Sequence, residues 1–168
     1  DRAYGDKHLR RGVRAIEMPS LEPFLIDMYS EFHENEDQEE EIEILCEGAQ
    51  GFGLDIDWGD YPFVTSSQCT VSAAIQSGIP PNAIRDVWGV AKAYETYVGA
   101  KDFENKEEEV FDYIRDVGSE YGATTGRPRQ INWLSMDMLK TSINVNGVNK
   151  LIINKNDILD EVGMHRLY

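Results

Sequence analysis

A chain of 168 residues with 31 acidic against 16 basic side chains, net charge −15, is long enough to bury one core and too acidic for general nucleic-acid binding, which needs basic surface to neutralise phosphates. The 41% apolar and 28% charged fractions are those of a soluble globular protein, and no apolar run approaches the roughly 20 residues of a membrane span. The opening DRAYGDKHLRRG has no apolar stretch, and Cys46 and Cys69 lack a CxxC context. The expectation is a cytoplasmic protein with reduced thiols, no secretory signal and no membrane partner.

In chain order, residues 1–14 concentrate basic charge in Lys7, Arg10, Arg11 and Arg14. Pro19-Ser20 then predicts a helix, with Ser20 as N-cap and Leu21, Leu25, Met28 and Phe32 at helical spacing. The acidic run from Glu34 to Glu43 reads as a solvated helix end or linker. Ile42 to Cys46 predicts a buried strand ending at the glycines of EGAQG, Glu47 to Gly51. Short helices are expected over Thr70 to Gln76, stopped by Gly78, and over Asn82 to Asp86 after Pro80-Pro81.

Val87 to Tyr97 is rich in β-branched and aromatic residues and predicts a strand. Glu107 to Val117 places Val110, Phe111, Ile114 and Val117 on one helical face. Ser135 is positioned to cap a helix to about Asn144, with Gly147 beyond its end, and Leu151 to Ile153 predicts a short buried strand entering NKND, Asn154 to Asp157. Strands alternating with helices argue for an α/β layer fold in a single domain over residues 1–168.

One loop stands out chemically. Gly122 to Arg129 reads GATTGRPR, and it sets two glycines, two threonines and two arginines together in an acidic chain. Guanidinium forks match carboxylate or phosphate oxygens bidentately, and glycines let the backbone approach a ligand, so the loop suits a small anion as well as it suits a polar turn. In GLDIDWGDYP, Asp55, Asp57 and Asp60 invite a calcium reading, but the twelfth position from Asp55 is Ser66 rather than a glutamate. A hydrogen-bonded loop is expected there instead of a metal site. His8, His33 and His165 are scattered and carry no zinc signature, and GxSxG, GxxxxGK[ST] and GxGxxG are absent. Thr65-Ser66-Ser67 offers hydroxyl donors or helix caps, and in NKND Lys155 with Asp157 suits reading a guanine base, while Asn156 or Asp157 equally suits capping a helix ahead of Ile158 and Leu159.

Together DKHLRRGVR, EGAQGFGLDIDWGDYPFVTSS, KAYETYVGA, GSEYGATTGRPR and NKNDILD, in that order, resemble the adenylosuccinate synthetase family. The resemblance implies a portion of a P-loop-like layered fold, with a central, mostly parallel sheet flanked by helices. It implies ligation of L-aspartate to IMP with GTP and Mg2+, through a 6-phosphoryl-IMP intermediate in purine nucleotide biosynthesis. Residue by residue, it places Gln50 near the purine 6-oxygen and Thr65 on the IMP 5′-phosphate. Arg10 reaches that phosphate from the partner subunit of a homodimer. Thr125 and Arg127, with Thr124 beside them, hold the aspartate carboxylates. Arg129 approaches the nucleotide and aspartate, Lys155 and Asp157 read guanine, and Val98 and Gly99 lie against the ribose.

The chain also departs from the family's pattern. Nothing in it matches the family's GDEGKGK loop, catalytic aspartate or catalytic histidine, and no magnesium ligand is expected. The resemblance therefore implies a central portion of the enzyme that is inactive alone. KDFENKE follows VGA where the family has GPFPTE, and Tyr97 stands where it has arginine. Two other functions compete: a phage-type ligase joining aspartate to dGMP for 2-aminoadenine synthesis, and a noncatalytic nucleotide-binding module.

Overall fold

The computed structural model describes residues 2–27, 29–30 and 43–168. They fall into two compact units, Asp1–Ile84 and Arg85–Tyr168, and each is taken by itself.

In the first unit, helix α1 (Arg2–His8) is solvated on all sides and buries no residue. The stretch expected as a regular helix after Pro19 is instead a 3-10 helix over Pro19–Phe24, preceded by Met18 rather than capped by Ser20. Pro23 inside that segment lacks the N–H that an α-helix would use. Met28, Phe32, His33 and most of the acidic run lie outside the described residues.

The strand expected over Ile42 to Cys46 is not found. Ile42 lies outside the described residues, residues 43–46 form no regular element, and Leu45 is 90% exposed. No described strand pairs with this stretch.

Beyond it the chain folds back in 3-10 turns and loops to helix α2 (Ser72–Gln76), which ends in a turn where Gly78 takes φ +100°. The helix expected from Asn82 is a single 3-10 turn, Pro81–Ala83.

The second unit holds the α/β core. The segment read as one strand divides at Ala93 into β1 (Trp88–Lys92) and β2 (Tyr94–Tyr97). Helix α3 (Val110–Val117), strand β3 (Gln130–Trp133), helix α4 (Met136–Asn146), strand β4 (Lys150–Asn154) and helix α5 (Asn156–Val162) follow. Strand β1 pairs in parallel with β4, from Trp88 opposite Lys150 to Lys92 opposite Asn154. Strand β2 pairs antiparallel with β3, Tyr94 opposite Trp133 and Tyr97 opposite Gln130. The break at Ala93 thus sends consecutive strands into different pairings.

The core gathers Tyr94, Ile131 and Trp133 from β2 and β3, Phe111 and Ile114 from α3, and Ile158 and Leu159 from α5. Each such side chain contributes about 1.5–3 kcal/mol by leaving water. The expected amphipathic face of α3 is present, with Phe111 and Ile114 buried and Val110 and Val117 packed against the cluster. The caps of α4 also match expectation. Ser135 Oγ accepts from the Met138 amide at 3.3 Å, and Gly147 closes the helix at φ +63°. Strand β4 is less buried than expected, because Leu151 and Ile152 are each 43% exposed. Among the described residues, no helix is long and apolar enough to cross a membrane.

Candidate functional site

In the first unit, the loop after EGAQG is organised by one buried carboxylate. Asp55, 1% exposed, accepts from the backbone amides of Asp57 (2.9 Å), Trp58 (3.0 Å) and Cys69 (2.5 Å). This is the hydrogen-bonded loop expected in place of a calcium site. Gly59 is required at its turn, since a Cβ there would stand 2.6 Å from the carbonyl oxygens of Gly53 and Asp55.

Thr65 is pinned in the same loop. Its amide donates to the Leu54 carbonyl at 2.8 Å, and its Oγ1 lies 3.0 Å from Ser67 Oγ. The Thr65-Ser66-Ser67 hydroxyls cap no helix here, because α2 is preceded by Val71 and has no side-chain cap. Ser67 Oγ instead donates to Gln50 Oε1 at 3.5 Å, and Cys69 Sγ approaches that oxygen at 3.9 Å. Gln50 itself takes φ +62°, a left-handed conformation that exposes its side chain at the turn. So Gln50 and Thr65, distant in sequence, meet through Ser67. Arg10 sits just past α1 at φ +56°, exposed, while its neighbour Arg11 pairs with Asp6 at 3.1 Å.

In the second unit, GATTGRPR folds into a closed turn. The Gly122 amide donates to the Arg127 carbonyl and the Gly126 amide to the Gly122 carbonyl, both at 2.8 Å. Gly126 takes φ +63°, which glycine adopts at no steric cost. Thr124, Thr125 and Arg127 are exposed around this turn, and among the described residues no carboxylate pairs with Arg127.

Arg129 is different. It turns inward, and its guanidinium donates to Glu120 Oε2 at 2.7 Å. Glu120 is 1% exposed and also accepts from Lys92 Nζ at 2.7 and 2.8 Å and from Tyr94 Oη at 2.7 Å. Burial alone would raise the Glu120 carboxyl, but hydrogen bonds from Lys92, Tyr94 and Arg129 overcome it and hold the group below its usual range. At Lys92 burial prevails over the same attraction and lowers the ammonium. Tyr94 is driven up by burial and by its bond to Glu120.

Lys92 ends β1 and Asn154 ends β4, so this cluster sits at the carboxyl edge of the parallel pair, where α/β sheets gather ligands. NKND begins at the same edge. Lys155 takes φ +62° and donates through Nζ to the Gly118 carbonyl at 3.0 Å. Asn156 and Asp157 do not cap α5. The capping position is Lys155, and Asn156 Nδ2 donates back to the Ile153 carbonyl at 3.1 Å. The carboxylate of Asp157 stays exposed.

Val98 and Gly99 follow β2, with Val98 51% exposed and the Gly99 carbonyl accepting from Gln130 Nε2 at 3.2 Å. The two departures noted around VGA pack together, because the rings of Tyr97 and Phe103 lie 5.6 Å apart. Lys92, Tyr94 and Glu120 escaped sequence reasoning as a site. The distance in sequence between Lys92 and Glu120 hides the pair, and only the nearness of Glu120 to GATTGRPR hinted at it.

Comparison with known proteins gives a consistent result. The family model for adenylosuccinate synthetase matches residues 16–165. The adenylosuccinate synthetase of Phocaeicola vulgatus is 52% identical over 123 residues, covering 70% of this chain and 28% of that protein. That of Lodderomyces elongisporus is 44% identical over 143 residues, covering 84% and 33%. The fully ligated adenylosuccinate synthetase from Plasmodium falciparum superposes with a TM-score of 0.72 at 32% identity, over 92% of this chain and 38% of that one. The succinoaminodeoxyadenylate synthetase of cyanophage S-2L, bound to dGMP and dATP as an energy donor, gives 0.53 at 26% identity, over 71% and 40%. The chain spans about a third of the length of these curated relatives. On this match, which takes in the loops at Gln50 and Thr65 and the edge formed by Lys92, Glu120, Arg129 and Lys155, the chain belongs to the adenylosuccinate synthetase family.

Proposed function

We propose that the complete protein carrying this chain joins L-aspartate to IMP with GTP as phosphoryl donor, and that this chain supplies binding elements for all three. The observation that carries the reading is the GATTGRPR turn. It is closed by its own backbone, with Thr124, Thr125 and Arg127 presented outward and Arg129 held inward. A fork of donors on a preorganised loop suits the two carboxylates of aspartate.

The chemistry requires help at the purine. The 6-oxygen of IMP is a poor leaving group, so the γ-phosphoryl of GTP is placed on it first and the aspartate amine then displaces phosphate. Phosphoryl transfer depends mainly on positioning and charge stabilisation. Gln50, held beside Ser67 and Thr65, would steady charge at the 6-oxygen while Thr65 binds the 5′-phosphate. Lys155 and Asp157 would read guanine, Val98 and Gly99 would border the ribose, and Arg10 would cross to the partner of a homodimer. GTP suits the basic edge at Lys92, Arg129 and Lys155. Among the described residues, no group of three or more His, Cys, Asp or Glu gathers as magnesium ligands would.

The dGMP-using reading draws on the likeness to the cyanophage enzyme, which is weaker than that to the Plasmodium one. The presence of GATTGRPR and NKND favours IMP. The mechanism is tested by labelling IMP with oxygen-18 at its 6-position and supplying the complete protein with aspartate and GTP. The label is expected in the released phosphate. Product without label in phosphate would contradict the intermediate, and IMP binding without any product would favour a noncatalytic module.

A further inference from the structure

Glu120 is one of only two buried polar or charged residues among those described, and its carboxylate is saturated. Both oxygens are occupied by Lys92, Tyr94 and Arg129 at 2.7–2.8 Å. Its cations are not buried with it. The side chain of Lys92 is 25% exposed and that of Arg129 31% exposed, against 1% for Glu120. One anion therefore holds two partly open cations at fixed positions, leaving the cluster one positive charge in excess at the carboxyl edge of β1 and β4.

The surrounding bonds extend the fixation. The Arg129 amide donates to the Glu120 carbonyl at 2.9 Å, so backbone and side chain of Arg129 are tied to the same residue. The Arg129 carbonyl accepts from Arg115 Nε at 2.8 Å, and Arg115 also pairs with Glu104, whose carboxylate accepts from the Ile131 amide at 2.7 Å. Gly118 cannot take a Cβ, which would stand 2.6 Å from Tyr94 Oη, so the chain leading into Glu120 is held close as well. Lys155 bonds to that same Gly118. A flexible arginine on a loop loses rotamer freedom when it grips an anionic ligand; this one has already lost it.

We propose that Glu120 is a positioning residue that presets the Arg129 guanidinium for the nucleotide's anionic groups. Glu120 acts through this arginine and, being saturated and buried, touches no ligand itself. The inference rests on the assignment of Arg129 to the nucleotide made above.

The test uses the complete protein with Glu120→Gln, Arg129→Ala and the double substitution. GTP and ATP binding are measured by calorimetry beside steady-state KM for each substrate and thermal melting. Glu120→Gln is expected to weaken binding of the preferred nucleotide about tenfold and to shift the KM for aspartate less than threefold. The double variant is expected to bind within twofold of Arg129→Ala, because the carboxylate acts through the arginine. Multiplied losses in the double variant, or equal rises in every KM, would overturn the proposal.

If Glu120→Gln does not fold, Glu120→Asp keeps the charge while withdrawing it by one methylene, and the same cycle with Arg129→Ala decides. A wild type that binds nucleotide but makes no adenylosuccinate contradicts the proposed function alone, and the binding cycle still decides the role of Glu120. A wild type that binds neither nucleotide overturns both.

Discussion

Lys155 donates its ammonium to the Gly118 carbonyl at 3.0 Å, tying the end of β4 to the end of α3 and so to the chain that enters GATTGRPR. The bond explains why a lysine occupies a left-handed position, φ +62°, that would ordinarily favour glycine. Two substitutions separate its components. Lys155→Ala loses the bond and keeps the backbone strain, while Lys155→Gly loses the bond and relieves it. Urea denaturation is expected to rank wild type above Lys155→Gly, and Lys155→Gly above Lys155→Ala by about 1 kcal/mol. Equal stability of the two variants would show that the backbone is not held there.

Arg127 is exposed on the closed turn, and among the described residues no carboxylate pairs with it. Arg127→Leu in the complete protein is expected to leave the melting temperature unchanged. It should raise the KM for aspartate tenfold or more and that for GTP less than threefold. Steady-state kinetics with each substrate varied in turn decides, and equal effects would mean the turn does not hold aspartate.

The buried Asp55 serves the other unit in the same organising way. Asp55→Ala strips three backbone amides of their acceptor. Its cost is expected at about 3 kcal/mol, because bonds to a charged acceptor are worth more than neutral ones and the amides remain partly buried. Equilibrium unfolding measures it. A loss below about 1 kcal/mol would mean that the loop repacks around the substitution.

These features were unequally visible in the sequence. Ser135 and Gly147 were legible because a cap is chosen by its own few neighbours, and the face of α3 because Phe111 and Ile114 repeat at helical spacing. The exposure of Leu45 and Leu151 was not, since an apolar run states a preference for burial without naming what would cover it. The break at Ala93 was hidden inside a continuous β-prone segment, and nothing local tells β1 and β2 to seek different partners. At the site, Arg127 and Arg129 looked alike within one motif. The buried carboxylate of Glu120 separates them, turning one inward and leaving the other open.

Acid titration should report on that carboxylate. Glu120 faces Lys92 from β1, Tyr94 from β2 and Arg129 from the loop, and its native carboxyl lies below the ordinary 4.5. A carboxyl depressed in the folded state stabilises above its unfolded value, and that contribution is lost as pH falls through the native one. The stability gap between wild type and Glu120→Gln is therefore expected to be full above about pH 5.5 and to close on acidification. Denaturation curves across a pH series check this, and a gap that widened towards low pH would contradict the sign.

On the function proposed, these loops serve an enzyme that aminates IMP with aspartate. The most direct measurement supplies the complete protein with aspartate and GTP, offers IMP and dGMP in parallel, and quantifies each succinylated product. Adenylosuccinate from IMP is expected at least tenfold faster than the product from dGMP. A preference for dGMP, or consumption of neither, would contradict it.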